Sequence, residues 1–291
     1  MAPVEEPLLE SAPLAAWVAE RLCRTDPATT RNCAWHHGYW QHLRVLGFAT
    51  APQYHADFYF AELARAAARD KTARVLISGA MDYSMLAHVL AACGEAGATP
   101  EVTVVDVCDT PLFLNHWFAR RAGLHVQSFR SDVLDFPASG MFDVTCSHAL
   151  LGQFSPDRRR GLMAKWRQLL KPGGRAITVN RIRPGSGSGP LSLAPEQARA
   201  LREAVLREAR QWHEPLGVDP EALAAGAERN ALAERTYPVS SRDEFAGLFE
   251  DAGFEIEHLS FEEIAARNPA GVSGPRIPGG AEYGRIVARR P

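Results

Sequence analysis

The sequence predicts an α/β fold: a doubly wound, mostly parallel sheet of about seven strands, with a helical cap before it and a helical insertion after its fifth strand. Three observations lead there. Residues 73–106 hold two short apolar runs separated by a turn at Gly79 and a helix-like stretch closing at Gly94, which together read as strand, helix, strand. The same alternation continues to Ile182 with short connections, as in a parallel sheet covered on both faces. It breaks at RPGSGSGPLS, a flexible connection by composition, and strands return only near the C-terminus.

Taken in order, the first helix is expected at 13–22, where Leu14, Trp17, Val18 and Leu22 share a face. Asp26 and Pro27 read as N-cap and first residue of a second helix that Gly47 stops. This helix carries AWHHGYWQHLRVLG: Trp35, Tyr39, His42, Leu43 and Leu46 fall on one face, with His36 and Trp40 beside it. These rings either pack the helix onto the main domain or form a lid lining a substrate pocket, in contact with a cationic centre. A third helix at 52–68 brings Tyr54, His55, Phe58, Tyr59 and Phe60 to the same region. Strands follow at 74–78, 101–106, 124–128, 142–147 and 175–180. Helices lie between them at 81–93, 111–122 and 156–170, with a short irregular one near Asp132. Pro156 suits a first helical position, and Pro172, Gly173 and Gly174 enforce a turn. Helices at 195–212 and 220–235 fill the insertion. Ser240 and Ser241 cap another helix ending at Gly253, and strands at 254–259 and 282–288 complete the sheet. The expected units are a cap over 1–70, a sheet domain over 71–183 and 239–291, and an insertion over 184–238.

Composition narrows the function. A net charge of -2 gives no electrostatic case for a nucleic-acid partner. No apolar run approaches the roughly 20 residues that span a bilayer, and the acidic start MAPVEEPLLE lacks the basic region of a secretory signal. The five cysteines have no CxxC spacing, so neither a metal site nor a disulfide framework is indicated. A cytoplasmic protein is expected, and exposed apolar faces on the N-terminal helices suit a homodimer.

Several linked motifs make the chain resemble the class I S-adenosylmethionine-dependent methyltransferases, a Rossmann-like family. The resemblance covers about 74–182 and returns from Ser241 onward. VTVVDVCDTPL is similar to the family's second-strand motif, which implies Asp106 on the ribose hydroxyls and Val107 or Cys108 flanking the adenine. FRSDVLDFP looks like the third motif, implying Asp132 on the adenine amino group and Val133 against its ring. FDVTCSHALLGQF, LMAKWRQLLKPGGRAITV and EFAGLFEDAGFEIEHL are similar to later segments of the family. The first motif departs from the pattern. Where the family has an acidic residue and three alternating glycines, this chain reads Ile77, Gly79, Met81 and Tyr83. Gly79, Ala80 and Met81 would then form the cofactor turn, Asp82 would offer a carboxylate to the cofactor's amino group, and Tyr83 would approach the sulfonium. Alternatively, Met81 and Tyr83 fill space in a degenerated site.

The resemblance implies S-adenosylmethionine as cofactor, and two helical appendages that could enclose a pocket suit a small-molecule substrate better than nucleic acid. Methyl transfer needs an aligned nucleophile and often a base. His148 stands at the exit of the fourth strand with Ser147 and Gln153, while His36, His37 and Tyr39 approach from the cap. Asn180 and Arg181 end the fifth strand, Arg181 facing either an acidic substrate or Asp143. The expected catalytic residues are His148, Tyr83, His36 and Tyr39. Ser147 joins the cofactor set, and His88 and His116 read as packing or solvated. A nicotinamide dehydrogenase is disfavoured because ISGAMDYS lacks GxGxxG, and no GxxxxGK[ST] marks a P-loop. Two other readings stay open. One is a cyclase or lyase that attacks the methionine chain and releases methylthioadenosine; the other is a non-catalytic binding protein of the same fold.

Overall fold

The computed structural model describes residues 4–25, 32–69, 72–187, 189–233, 235–264 and 282–291. Its sheet has seven strands in the order β3-β2-β1-β4-β5-β7-β6. They are β1 (Thr72–Ser78), β2 (Thr99–Asp106), β3 (Gln127–Arg130), β4 (Phe142–His148), β5 (Leu170–Ile182), β6 (Glu255–Glu263) and β7 (Glu282–Arg289). The pairs from β3 through β5 are parallel, and β7 runs antiparallel to both of its neighbours. The strand order reverses between β1 and β4, so their C-terminal ends open a crevice where this architecture binds ligands.

Successive side chains of a strand face opposite sides, and β1 shows the consequence. Val75 and Ile77 join one core cluster while Leu76 joins another. The first cluster is covered by α3 (Ala56–Ala67), through Phe58, Tyr59 and Leu63, and by α4 (Ser84–Glu95). The second is covered by α6 (Pro156–Leu169), through Leu162, Met163 and Trp166, and by α9 (Arg242–Asp251), through Phe245 and Phe249. Although it lies within the expected cap, α3 is part of a sheet layer. Ser241 caps α9 by accepting from the Glu244 N–H at 3.0 Å, and Pro156 stands at the start of α6.

The remaining helices are α1 (Leu8–Leu22), α2 (Ala34–Val45), α5 (Asp109–Arg121), α7 (Pro195–Leu216) and α8 (Pro220–Ala233). Helix α1 begins five residues before its expected start and carries Pro13 inside it. Strand β3 lies three residues later than expected, and the expected N-cap pair Asp26 and Pro27 falls outside the described residues. Leu191 and Thr236 pair across the two ends of the insertion, so the stretch read as a flexible connection holds an antiparallel bridge. Among the described residues no helix is long and apolar enough to cross a membrane.

Helix α2 uses three faces. Trp35, Tyr39, Leu43 and Leu46 pack on Ala204, Val205, Leu223 and Ala224 of α7 and α8, so this ring-bearing face meets the insertion and not the sheet domain. Gly38 sits against α1, where an added Cβ would meet that of Ala19 at 3.1 Å. His36 and Trp40 turn toward the sheet edge. Arg44 follows them one turn on and reaches Asp82.

Candidate active site

A cavity of about 260 Å³ opens over the C-terminal ends of β1, β4 and β5. Gly79, Ala80, Met81, Asp82 and Asp106 form one wall, His148, Leu150, Gly152 and Gln153 another, and Asn180, Arg181, Arg183 and Tyr237 a third. His36 and Trp40 close it from α2, their rings 5.6 Å apart.

Gly79 leaves β1 with φ +70, and an added Cβ would meet Leu150 Cδ1 at 2.7 Å. The positive φ favours glycine, while the leucine methyl is a flexible end that could shift. The carboxylate of Asp106 is fixed from two sides, Oδ2 accepting from the Ala80 N–H and Oδ1 from the Cys108 N–H, each at 2.8 Å. Each oxygen keeps a second lone pair for a ligand hydroxyl. Burial pushes its pKa up to about 6, against the opposing pull of His37 and the two N–H groups.

Asp82 belongs to a buried ionic group. Its Oδ1 accepts from the Ser84 N–H at 2.8 Å and its Oδ2 from Arg44 Nη1 at 2.9 Å, while Arg44 also bonds Glu6 and Gln53. Burial opposes the charge of Arg44, but Asp82 and Glu6 outweigh it and hold the guanidinium above its ordinary pKa. Two carboxylates on one guanidinium leave a negative charge in excess beside the cavity.

His148 is organised by Tyr59, a buried residue of α3. The Tyr59 hydroxyl donates to the Ser147 carbonyl at 2.8 Å and accepts from the Val179 N–H at 3.1 Å. It lies 3.2 Å from Nδ1 of His148. Its one proton is already committed, so it accepts from His148, which puts the imidazole proton on Nδ1 and the lone pair on Nε2. That Nε2 is buried and has no hydrogen-bond partner among the described residues. Burial, with His55, His88 and Arg44 nearby, holds the His148 pKa well below the usual imidazole range. The ring is therefore a neutral acceptor at neutral pH. Beside it Ala149 is a non-glycine residue with φ 54, a strained conformation at the cavity wall.

The structure brings together His36, Gly79, Ala80, Met81, Asp82, Asp106 and His148 from the sequence expectations. It places others elsewhere. Tyr83 turns away from the cavity, stacks on Phe118 at 4.6 Å and bonds Ser11 through its hydroxyl at 2.7 Å. Tyr39 packs on Trp35 at 5.6 Å in the cluster facing the insertion. Ser147 is fully buried, its hydroxyl 2.9 Å from that of Thr178. Val133 is a core residue, and Asp132 caps a short 3-10 turn while pairing with Arg158 at 2.5 Å. Val107 is 63% exposed beyond the end of β2. Cys108 is buried beside Cys23. Asp143 is held by Lys171 at 2.6 Å and by the Arg74 N–H, and Arg181 lines the cavity.

Sequence reasoning missed Arg44 and Arg183, and offered Trp40 only as one ring of a lid or of a packing face. His36, Trp40 and Arg44 recur every four residues, a helical stripe that was open to view. Chain spacing also indicated no metal site, yet the fold gathers Cys23, Cys33, His37 and Cys108 into one cluster.

Residues 84–174 match the family model of a methyltransferase domain, starting just past the divergent first turn. The match spans about a third of the chain, within the segment whose motifs resemble the class I S-adenosylmethionine-dependent methyltransferases. Geranyl diphosphate methyltransferase in complex with S-adenosylmethionine shares the fold at 17% identity and TM-score 0.53, over 81% of this chain and 84% of that one. A Methanosarcina mazei S-adenosylmethionine-dependent methyltransferase is similar at 16% identity and TM-score 0.49, over 76% and 93%. The 1,6-didemethyltoxoflavin N1-methyltransferase of Burkholderia thailandensis is similar at 19% identity and TM-score 0.47, over 82% and 90%. No curated protein sequence matches the chain. The residues present would fit S-adenosylmethionine: Asp106 has lone pairs for the ribose, and Gly79 leaves the turn without a side chain.

Proposed function

We propose that this methyltransferase acts on an acidic small molecule held between the end of β5 and the N-terminal helices, with His148 as proton acceptor. The observation that carries this reading is the bare Nε2 of His148 on a residue lining the same cavity as Asp106 and the Gly79–Met81 turn. When bound, S-adenosylmethionine supplies an electrophilic methyl group on a sulfonium. The chain's own residues do the rest. Asp106 accepts from the ribose hydroxyls. The excess negative charge of Asp82 and Glu6 over Arg44 suits the α-ammonium of the methionine part. The rings of His36 and Trp40 offer π faces to the sulfonium. Arg181 and Arg183 give the far wall its positive charge, which favours a carboxylate or phosphate on the substrate. His148 takes a proton from the nucleophile as it attacks. The helical cap and the insertion meet through α2, α7 and α8, an arrangement that suits enclosure of a small substrate.

Met81, which occupies a glycine position in the cavity wall, favours a second reading in which the methionine chain lies differently and is itself attacked. One experiment separates the two. Purified protein is titrated calorimetrically with S-adenosylmethionine and S-adenosylhomocysteine, then incubated with S-adenosylmethionine and a panel of small carboxylic acids, and the released nucleoside is identified by chromatography. Acceptor-dependent S-adenosylhomocysteine supports methyl transfer. Methylthioadenosine formed without any acceptor replaces it with ring closure or elimination, and absence of binding removes both in favour of a non-catalytic protein. Under the first outcome, His148→Gln should lower kcat about 100-fold with little change in S-adenosylhomocysteine affinity. Parent-like turnover would remove His148 from the mechanism.

A further inference from the structure

Three thiols and an imidazole converge just past the C-terminal end of β2. Cys23 follows α1, Cys33 immediately precedes α2, His37 lies one turn into α2, and Cys108 precedes α5. The Sγ atoms and a ring nitrogen of these four residues all lie within 4.8 Å of one another. The separations are 3.5 Å for Cys23 and Cys108, 3.8 Å for Cys33 and Cys108, and 3.4 Å from Cys23 Sγ to His37 Nδ1.

Those lengths discriminate between chemistries. A disulfide needs sulfurs about 2.05 Å apart, and the cysteines here are free. A tetrahedral ion with sulfur at about 2.3 Å and nitrogen at about 2.0 Å has edges of about 3.8 Å between sulfurs and about 3.5 Å between sulfur and nitrogen. The Cys33–Cys108 and Cys23–His37 separations match those edges to about 0.1 Å, and the Cys23–Cys108 separation is about 0.3 Å shorter. Thiols are weak hydrogen-bond donors, so three of them gathered on an imidazole gain little as neutral groups. As thiolates around a soft divalent cation they gain a great deal.

We propose that Cys23, Cys33, Cys108 and Nδ1 of His37 bind one structural zinc ion. Four protein ligands close the coordination sphere, which marks a structural site. Thr110 supports it from outside, its hydroxyl 3.1 Å from the Cys23 sulfur. The ion joins α1 and α2 to the chain two residues beyond Asp106, at the residue whose N–H holds Asp106 Oδ1. It thereby anchors the helix that presents His36, Trp40 and Arg44 to the cavity. Spacing hides the site because the ligands come from three separate segments, Cys23, Cys33 with His37, and Cys108.

The test is elemental analysis of the full chain, produced in zinc-supplemented medium and freed of loose metal by gel filtration. About one zinc per chain is expected, and Cys33→Ser and His37→Ala should each lose most of it. Cys93→Ala, in the sheet core away from the cluster, should retain it. Should the ligand variants fail to fold, exchange of the parent protein into cobalt(II) provides the second measurement: intense visible bands and thiolate charge-transfer absorption of a tetrahedral thiolate site. Zinc below about a tenth of an equivalent with no such cobalt spectrum overturns the proposal. So does a mass lower by two hydrogens that maps to a disulfide within the cluster.

Discussion

Asp106 and Tyr83 were both expected at the cofactor, and their surroundings set opposite expectations for their variants. Asp106 lines the cavity with its carboxylate pre-aligned by two backbone N–H groups. Asp106→Ala removes the ribose acceptor, and S-adenosylhomocysteine affinity should fall by about 2 to 4 kcal/mol, read by calorimetry at constant melting temperature. Affinity near that of the parent would place the ribose elsewhere. Tyr83 is fully buried between α1 and α5, its hydroxyl on Ser11. Tyr83→Phe should therefore cost about 1 kcal/mol in denaturant unfolding and leave kcat unchanged. A large loss of turnover with intact stability would bring its ring back to the sulfonium. The difference was not legible in the sequence, because a residue one turn past a strand exit faces either the crevice or the helix behind it. The stripe that carries Arg44 was open to view, but its pairing with Asp82 and the cysteine cluster were illegible for a related reason: the partners lie far away in the chain, and only the folded path makes them neighbours.

At the scale of elements, the strands were legible wherever a near-continuous apolar run is buried on both faces, as in β1, β2, β4 and β7. The apolar signal misled at β3. Val126 is buried and drew the expected strand toward it, whereas the paired segment Gln127–Arg130 is an edge strand without a buried residue. Helix α1 runs through Pro13, which sequence reading treated as a start, because the carbonyl left without a partner belongs to Leu9, an exposed residue that water can reach. The return from the insertion hangs on one buried side chain. Arg159 of α6 donates to the carbonyls of Leu151, Tyr237 and Pro238 and pairs with Glu244 at 2.9 Å. Gly152, Gln153, Tyr237 and Pro238 line the cavity, so this guanidinium shapes its wall. Arg159→Leu strands those carbonyls and the carboxylate, and a loss of about 3 to 5 kcal/mol is expected. A variant as stable as the parent in urea would show that the wall is held by other contacts.

For the whole molecule, the buried imidazoles set the response to acid. His42, His55 and His88 are buried and His148 is partly so, and burial is the leading cause that lowers each pKa, to about 4 for His42 and about 3 for His55. Geometry agrees at His55, whose Nδ1 accepts from Arg285 Nε at 3.2 Å and so cannot hold a proton. Above pH 6.5, the ordinary imidazole value, neither folded nor unfolded chains protonate these rings, and they place no pH slope on stability. Below it the unfolded chain takes up protons that the folded chain refuses. The unfolded state then binds more protons, so stability falls as pH falls, from about 6.5 toward the folded values near 4 and 3. Each ring contributes at most about 1.4 kcal/mol per pH unit, and the set is large against a total stability of roughly 5 to 15 kcal/mol. Unfolding in urea should therefore show a steep loss of stability between about pH 6.5 and 4.5. His42→Phe keeps an aromatic ring without a titrating group and should flatten the profile by one ring's share. A profile level down to pH 4.5, or one that His42→Phe leaves unchanged, would mean that these rings keep access to protons in the folded chain.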